Sequence, residues 1–559
     1  MDYLKITEEY IISKGVTPKD DTMGLLVYSQ DIKNGDCCLP CFKLSKVMRM
    51  SPVMIADKLK AEMTDLPNHI KRVESVSGYL NFYFDRNAMA KEVLSSILSR
   101  GEKFEPMEPN GKTVCIDYSS INIAKPFHIG HLSSTVIGGS LHRIFRYLGY
   151  QAIGINHLGD WGTQFGKLLT AYFKWGKGEQ TMDSLLELYV RFHKEAEQDD
   201  SLNDEARMWF KKIEDKDEKA TAAYEEFKRI TLEEVTKVYD RLGIKFDSYN
   251  GEAFFNDKMQ PVVEELKSKN LLTPSDGAMI VSLDEYDMPP CLILRSDGAS
   301  LYATRDLACA FYRKNTYNFD KNLYVVAYQQ NLHFKQVFKV LELMGHEWAK
   351  DCVHVPFGMV SIEGGGSLST RSGNVVKLVD VINTAVQKTK TIIADKNPEL
   401  ENADETAEAI GVGAVVFGAL SSSRIKDIVF SLDKALNFDG ETGPYLQYTH
   451  ARCCSVLSKA QPSGEIDYAQ LTDDDTFALI RRLNAFDDTV RIVADRYEPS
   501  ILTRYLIDLA QEFNKFYIAH RIISDDKEAT NARLWITKAV KNTLKNGMEL
   551  ILLKAPEKM

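Results

Sequence analysis

The sequence predicts an α/β protein whose core is a parallel sheet carrying a helical insertion, with a small α+β domain ahead of it and an all-α helical bundle behind. Three observations predict this. A β-type run, TVCIDYSS, passes through a loop into LSSTVIGGSLHRIFRYLGY, whose apolar spacing is helical, and then into a second apolar run, QAIGINHLGD. Strand, loop, helix, strand is the opening of a parallel unit. After a charge-rich stretch without strand pattern, the runs GAMIVSL, CLILRS, NLYVVAY and CVHVPFGMVSI resume the β signal. Beyond about residue 385, amphipathic helical patterns dominate.

Taken in order, residues 1–110 read as the α+β domain. Helical spacing runs through Val53, Ile55, Leu59 and Met63, YLNFYFD suits a strand, and EPMEPNGK, with two prolines, an asparagine and a glycine, reads as a linker. Residues 111–385 hold the parallel sheet. Its interruption at about 176–240 is the helical insertion, and HFKQVFKVLELMG is a crossover helix between the last two strand candidates. Residues 386–559 form the bundle, broken at NFDGETGP and QPSGEID.

Composition narrows the function. At 559 residues the chain is long enough for three domains and a large buried core. The N-terminus has no basic segment followed by an apolar run, and no stretch of about 18 apolar residues occurs, so a cytoplasmic protein away from membranes is expected. Nine cysteines at irregular spacing suit a reducing compartment. Cys38 and Cys41 form a CxxC beside Cys37, but no second pair follows at ligand spacing. Reduced structural thiols and no bound metal are expected. A net charge of −10 argues against indiscriminate coating of nucleic acid. One end is nevertheless cationic: Arg533, Lys538, Lys541, Lys545, Lys554 and Lys558 stand against Glu549 and Glu557.

The most informative stretch is INIAKPFHIGH, which sets Asn122, Lys125, His128 and His131 around Pro126 and Gly130. Two imidazoles at i, i+3 can ligate metal, act as acid and base, or donate to phosphate. A metal needs a third ligand, for which His157 or Asp117 have no recognisable spacing. Phosphate fits better, because the loop leaves a strand and enters a helix N-terminus, where free N–H groups favour an anion. Neither GxGxxG nor GxxxxGK[ST] is present here, so the nucleotide would be held largely by imidazoles.

SSINIAKPFHIGHL resembles the HIGH region of class I aminoacyl-tRNA synthetases, and the longer string through NHLGDWGTQFGKL resembles arginyl-tRNA synthetases in particular. GDCCLPCFKL, LYATRDLACA, YVVAYQQNLHF, LSTRSGN, NFDGETGPYLQYTHAR and LLKAPEKM extend the likeness in order along the chain. The resemblance implies a class I Rossmann-like catalytic domain that activates L-arginine with ATP, the Mg2+ arriving with the nucleotide, and transfers arginine to the 3′ end of its tRNA. It implies that His128, Gly130 and His131 meet ATP, and that SLSTRSGN, with Ser369, Thr370 and Arg371, stands where the family's mobile lysine loop lies. Lysine is missing from that loop's usual second position, so Lys125, Arg371 or Lys377 is expected to supply the cation.

For arginine the resemblance implies Asp117, Ser120, Asn122, Tyr302, Asp306 and Gln330. Asp306 is the main partner of the guanidinium, with Asp117 helping where the family usually has glutamate. Tyr302 and Asp306, at i, i+4, share a helix face. The bundle is expected to bind the anticodon, with Tyr517 stacking and Arg521 beside it, the N-terminal domain to touch the tRNA elbow, and the chain to act as a monomer. Rival readings are a small-molecule nucleotidyltransferase, a class I synthetase for another amino acid, and a non-catalytic tRNA-binding paralogue.

Overall fold

In the YLNFYF segment, Leu80, Phe82 and Phe84 fall on one face and are buried. This strand is the third in the antiparallel sheet β1 (Val27–Tyr28), β2 (Cys37–Pro40), β3 (Ile70–Val76) and β4 (Tyr79–Phe84), which has the order β1-β2-β4-β3. The computed structural model describes residues 3–29, 34–295, 302–363 and 376–559. The helix Pro52–Glu62 covers the sheet with Ile55, Ala56 and Leu59, whereas Val53, expected on the same face, lies in the helix's first turn and is 48% exposed. Cys37 and Cys41 are buried, and burial pushes the Cys41 thiol up to about 11, so it stays protonated.

The second sheet is the one the sequence announces. β5 (Thr113–Asp117) and β6 (Gln151–Ile155) flank the helix Leu132–Tyr147 in sequence and pair in parallel. That helix lies close on the strand end because of Gly138, where a Cβ would come within 2.2 Å of the Tyr118 side chain. The insertion is helical, Met182–Ala196, Ser201–Glu214 and Glu218–Leu242.

GAMIVSL and CLILRS depart from expectation. They form β8 (Ala278–Val281) and β9 (Cys291–Leu294), which with β7 (Thr273–Ser275) make a separate antiparallel sheet. The link between β8 and β9 is too short for the crossover that parallel pairing needs. The parallel sheet resumes with β10 (Lys321–Tyr324) and β11 (Cys352–His354), in the order β11-β10-β5-β6, with the helix Asn331–Leu343 as the crossover. Apolar clusters cover both faces, one around Ile116, Val136 and Leu323 and the other around Cys115, Leu307 and Phe334.

The end of CVHVPFGMVSI leaves this sheet. It forms β12 (Val360–Ile362), which pairs in parallel with β13 (Ile428–Phe430), a strand in the region expected to be wholly helical. The helix Leu378–Lys396 spans residue 385, so a boundary there would fall inside a helix. The bundle then follows, closed by the long helices Ser500–Ala519 and Lys527–Leu550. Among the described residues, no helix is long and apolar enough to cross a membrane.

Candidate active site

The loop that follows β5 is backbone under tension. Ser119, Ser120 and Ala124 have φ of +69°, +44° and +58°, the left-handed region that costs a non-glycine residue about 1 kcal/mol each. Surrounding groups hold it there. Ser119 accepts at its Oγ or donates from it to Thr135 (2.8 Å) and Tyr239 (2.7 Å), and its N–H donates to Ser134 Oγ at 2.9 Å. The Ala124 N–H donates to Thr231 Oγ1 at 2.9 Å. Tyr239 and Thr231 come from the insertion, so one task of that insertion is to fix this loop. Asn122 sits in a parallel bridge with Gly159, which aligns the HLGD segment alongside.

His128 and His131 are both half-buried, with ring centroids 4.0 Å apart. The Gly130 N–H donates to His128 Nδ1 at 3.1 Å, and the His128 N–H donates to His131 Nδ1 at 3.2 Å. Each Nδ1 is therefore an acceptor, which leaves the proton of a neutral ring on Nε2. Burial lowers both pKa values, with the Lys125 charge adding to the effect, and His131 is pushed down to about 3. Both rings are neutral at pH 7. Gly130 has a local reason: a Cβ there would lie 2.8 Å from the His128 ring, so the glycine makes room for the imidazole that caps it.

The chain that follows the lysine-poor loop returns to this spot. Ile129 N–H donates to Val376 O (3.1 Å), Leu378 N–H donates to Phe127 O (2.9 Å), and His128 bridges Lys377. Lys377's ammonium is paired with Asp183. Gly364–Gly366, Ser369, Thr370, Arg371 and Gly373 lie outside the described residues.

Among the residues expected to hold the amino acid, Asp306 lies on the helix Tyr302–Tyr317 and meets His333 Nε2 at 2.5 Å. Tyr302 (69% exposed) and Gln330 stand exposed at the starts of two helices on the rim. Asp117 is not a free carboxylate. Its Oδ2 accepts from Arg313 Nη2 at 2.6 Å and its Oδ1 from Ser120 Oγ at 2.7 Å, so the carboxylate is held by one partner on each oxygen. Arg305 is also buried and faces Glu252 at 3.6 Å. His333, Arg313 and His157 were not singled out for this side by sequence reasoning, although Cys309 and Arg313 continue the i, i+4 stripe of Tyr302 and Asp306. His157, Asp306 and Cys309 could offer a metal three donor atoms within 4.8 Å of one another.

In the bundle, Tyr517 is 39% exposed and lies beside Tyr448 in a groove of about 760 Å³ that reaches the terminal Met559. Its cationic neighbour is Arg452, whose guanidinium is 5.1 Å from the Tyr517 ring and 4.9 Å from that of Tyr448. Arg521 is exposed. The cationic end is partly neutralised, since Lys541 and Lys545 both reach Glu102 and Lys558 reaches Glu401.

The four-stranded parallel sheet with paired imidazoles at its carboxyl edge, with a helical domain behind it, is the catalytic domain of a class I aminoacyl-tRNA synthetase, as the family models show. Residues 93–432 match the family model "tRNA synthetases class I (R), catalytic domain", residues 446–559 the "DALR anticodon binding domain", and residues 6–84 the "Arginyl tRNA synthetase N terminal domain". The chain belongs to the arginyl-tRNA synthetase family and is an ATP-dependent arginine–tRNA ligase. It is 52% identical over 532 residues to an arginine–tRNA ligase of Clostridium botulinum, covering 94% of each chain. It is 49% identical over 568 residues to one of Clostridium perfringens, covering all of both. The Thermus thermophilus arginyl-tRNA synthetase structure superposes with a TM-score of 0.85 at 25% identity, over the full length of each chain.

Proposed function

We propose that the ligase reaction is divided between the two sides of the β5 edge. His128 and His131 donate their Nε2 protons to ATP's phosphate and ribose oxygens, at a helix N-terminus that already favours an anion. Neither acts as a base. Arginine's carboxylate attacks the α-phosphate, pyrophosphate leaves, and the terminal ribose of tRNA then takes the arginyl group from the adenylate. No protein nucleophile is required, so the rate comes from positioning and from cations facing the charge that builds on phosphate oxygens. Lys125 and Arg371, with Ser369 and Thr370 on the same loop, supply that charge and those donors. Mg2+ accompanies the triphosphate without a protein cage of its own.

Asp306 takes the substrate guanidinium in exchange for His333, with Asp117 helping, and with Ser120, Asn122, Tyr302 and Gln330 around the rest of the amino acid. Tyr517 stacks on an anticodon base with Arg521 nearby, and the N-terminal domain touches the tRNA elbow. The enzyme works as a cytoplasmic monomer. The observation that carries this reading is the mutual capping of the two histidines, which leaves two neutral rings with their donors on Nε2.

ATP–pyrophosphate exchange, run with and without cognate tRNA, tests it. Exchange is expected with arginine and tRNA, and not with lysine, glutamine or cysteine. Exchange driven by another amino acid would refute the pocket assignment. Lys125→Ala is expected to lower the exchange rate about a hundredfold while leaving tRNA affinity nearly unchanged. Equal losses in both would remove its assigned role.

A further inference from the structure

Residues 302, 306, 309 and 313 form one stripe on the helix Tyr302–Tyr317, at i, i+4, i+7 and i+11. Its last member, Arg313, is 2% exposed and lies over the ring of Tyr324 at 5.1 Å. A guanidinium is buried this deeply only when something holds it, and the 2.6 Å contact with Asp117 is what does so. Burial works against the charge, but the Asp117 carboxylate outweighs it and keeps Arg313 protonated. Both oxygens of Asp117 are then occupied, one by Arg313 and one by the Ser120 hydroxyl on the strained loop. Those two contacts, one on each oxygen, fix the orientation of the carboxylate and of the Ser120 hydroxyl together. Asp306 differs, because its side chain is 26% exposed and its partner His333 25% exposed.

We propose that Arg313 is a positioning residue for arginine recognition: by locking Asp117 it fixes the orientation of that carboxylate and of the Ser120 hydroxyl bonded to it. The proposal rests on the arginine-ligase reading and adds a role for a residue that does not touch substrate.

The test uses the full-length enzyme with tRNA present, measuring arginine-dependent pyrophosphate exchange and melting temperature for Arg313→Met, Arg313→Lys and the double variant Asp117→Asn with Arg313→Met. Arg313→Met is expected to raise the KM for arginine at least tenfold with the KM for ATP within twofold, and Arg313→Lys to recover part of that loss. The double variant removes both charges and is expected to regain melting temperature while keeping the raised KM. Two results would overturn the proposal: a folded Arg313→Met enzyme with unchanged KM for arginine, or a double variant that regains wild-type KM together with its stability, which is how a purely structural pair behaves. Should Arg313→Met fail to fold, the double variant and Arg313→Lys decide alone. A wild-type enzyme without arginine-dependent exchange would sink the ligase reading itself, a result distinct from either.

Discussion

The two sides of the β5 edge solve opposite electrostatic problems by opposite means. Toward the proposed nucleotide site, the chain offers neutral imidazoles whose Nδ1 atoms are already satisfied by backbone N–H groups, so the rings are set before any ligand arrives. Toward the proposed amino-acid site, it offers carboxylates that already have partners, Asp117 with Arg313 and Asp306 with His333. A polyanion can be met by fixed dipoles without burying a protein charge. A guanidinium needs a carboxylate, and a carboxylate kept waiting in a half-buried site needs a partner it can give up.

The largest test of that contrast is Asp306→Asn, which leaves the ligand's guanidinium without its charge partner. We expect kcat/KM for arginine to fall by about 4 kcal/mol, close to a thousandfold, with the KM for ATP unmoved; a comparable rise in the KM for ATP would merge the two sides into one. Next is His131→Gln, expected to lower kcat about a hundredfold, as loss of one oriented donor does, with the KM for arginine preserved. His131 also carries a pH signature. Its ring takes a proton at about 3 in the fold against an ordinary 6.5, so the unfolded chain binds more protons between those values and stability drops as pH falls through that window. Acid unfolding curves should show a shallower fall in His131→Gln than in wild type.

Tyr517→Ala extends the comparison to RNA. Stacking on an aromatic ring is worth about 1–3 kcal/mol per base, and here Arg452 already occupies part of the ring's surroundings. The KM for tRNA should rise about tenfold without change in that for arginine, and an unchanged KM would reassign Tyr517 to packing. The smallest effect belongs to Glu252, whose carboxyl is pushed up to about 7 by burial, against the pull of Arg305. The folded chain binds more protons than the unfolded one between about 4.5 and about 7, so stability is lost as pH rises through that range. Glu252→Gln should recover on the order of 1 kcal/mol at pH 8, a modest figure because the side chain still reaches water. Denaturant titrations at pH 4.5 and 8 would check it.

Much of this was legible in the chain before its structure. β5, β6, β10 and β11 are short apolar runs, and periodicity finds such runs well. It says nothing about their partners, which is why β8 and β9 were assigned to the parallel sheet and β13 was missed inside a helical region. The histidine loop was legible because its residues are adjacent in sequence. Arg313 was not: its partner Asp117 is far away along the chain, and a lone arginine on a helix looks like any solvated one. Carrying the stripe of Tyr302 and Asp306 two further turns would have singled it out. Gly130 shows the reverse case, where the residue was noticed and its neighbour, the His128 ring, supplied the reason.

The pairing of Val360–Ile362 with Ile428–Phe430 has a practical consequence for anyone who cuts this molecule. A fragment ended near residue 385 would keep β12 but lose the strand that closes it, leaving a raw ladder of amide and carbonyl groups open to neighbouring copies. Self-association in the test tube would then say little about the native chain. A shortened enzyme meant for display, fusion or crystallisation should run past Phe430 before it stops.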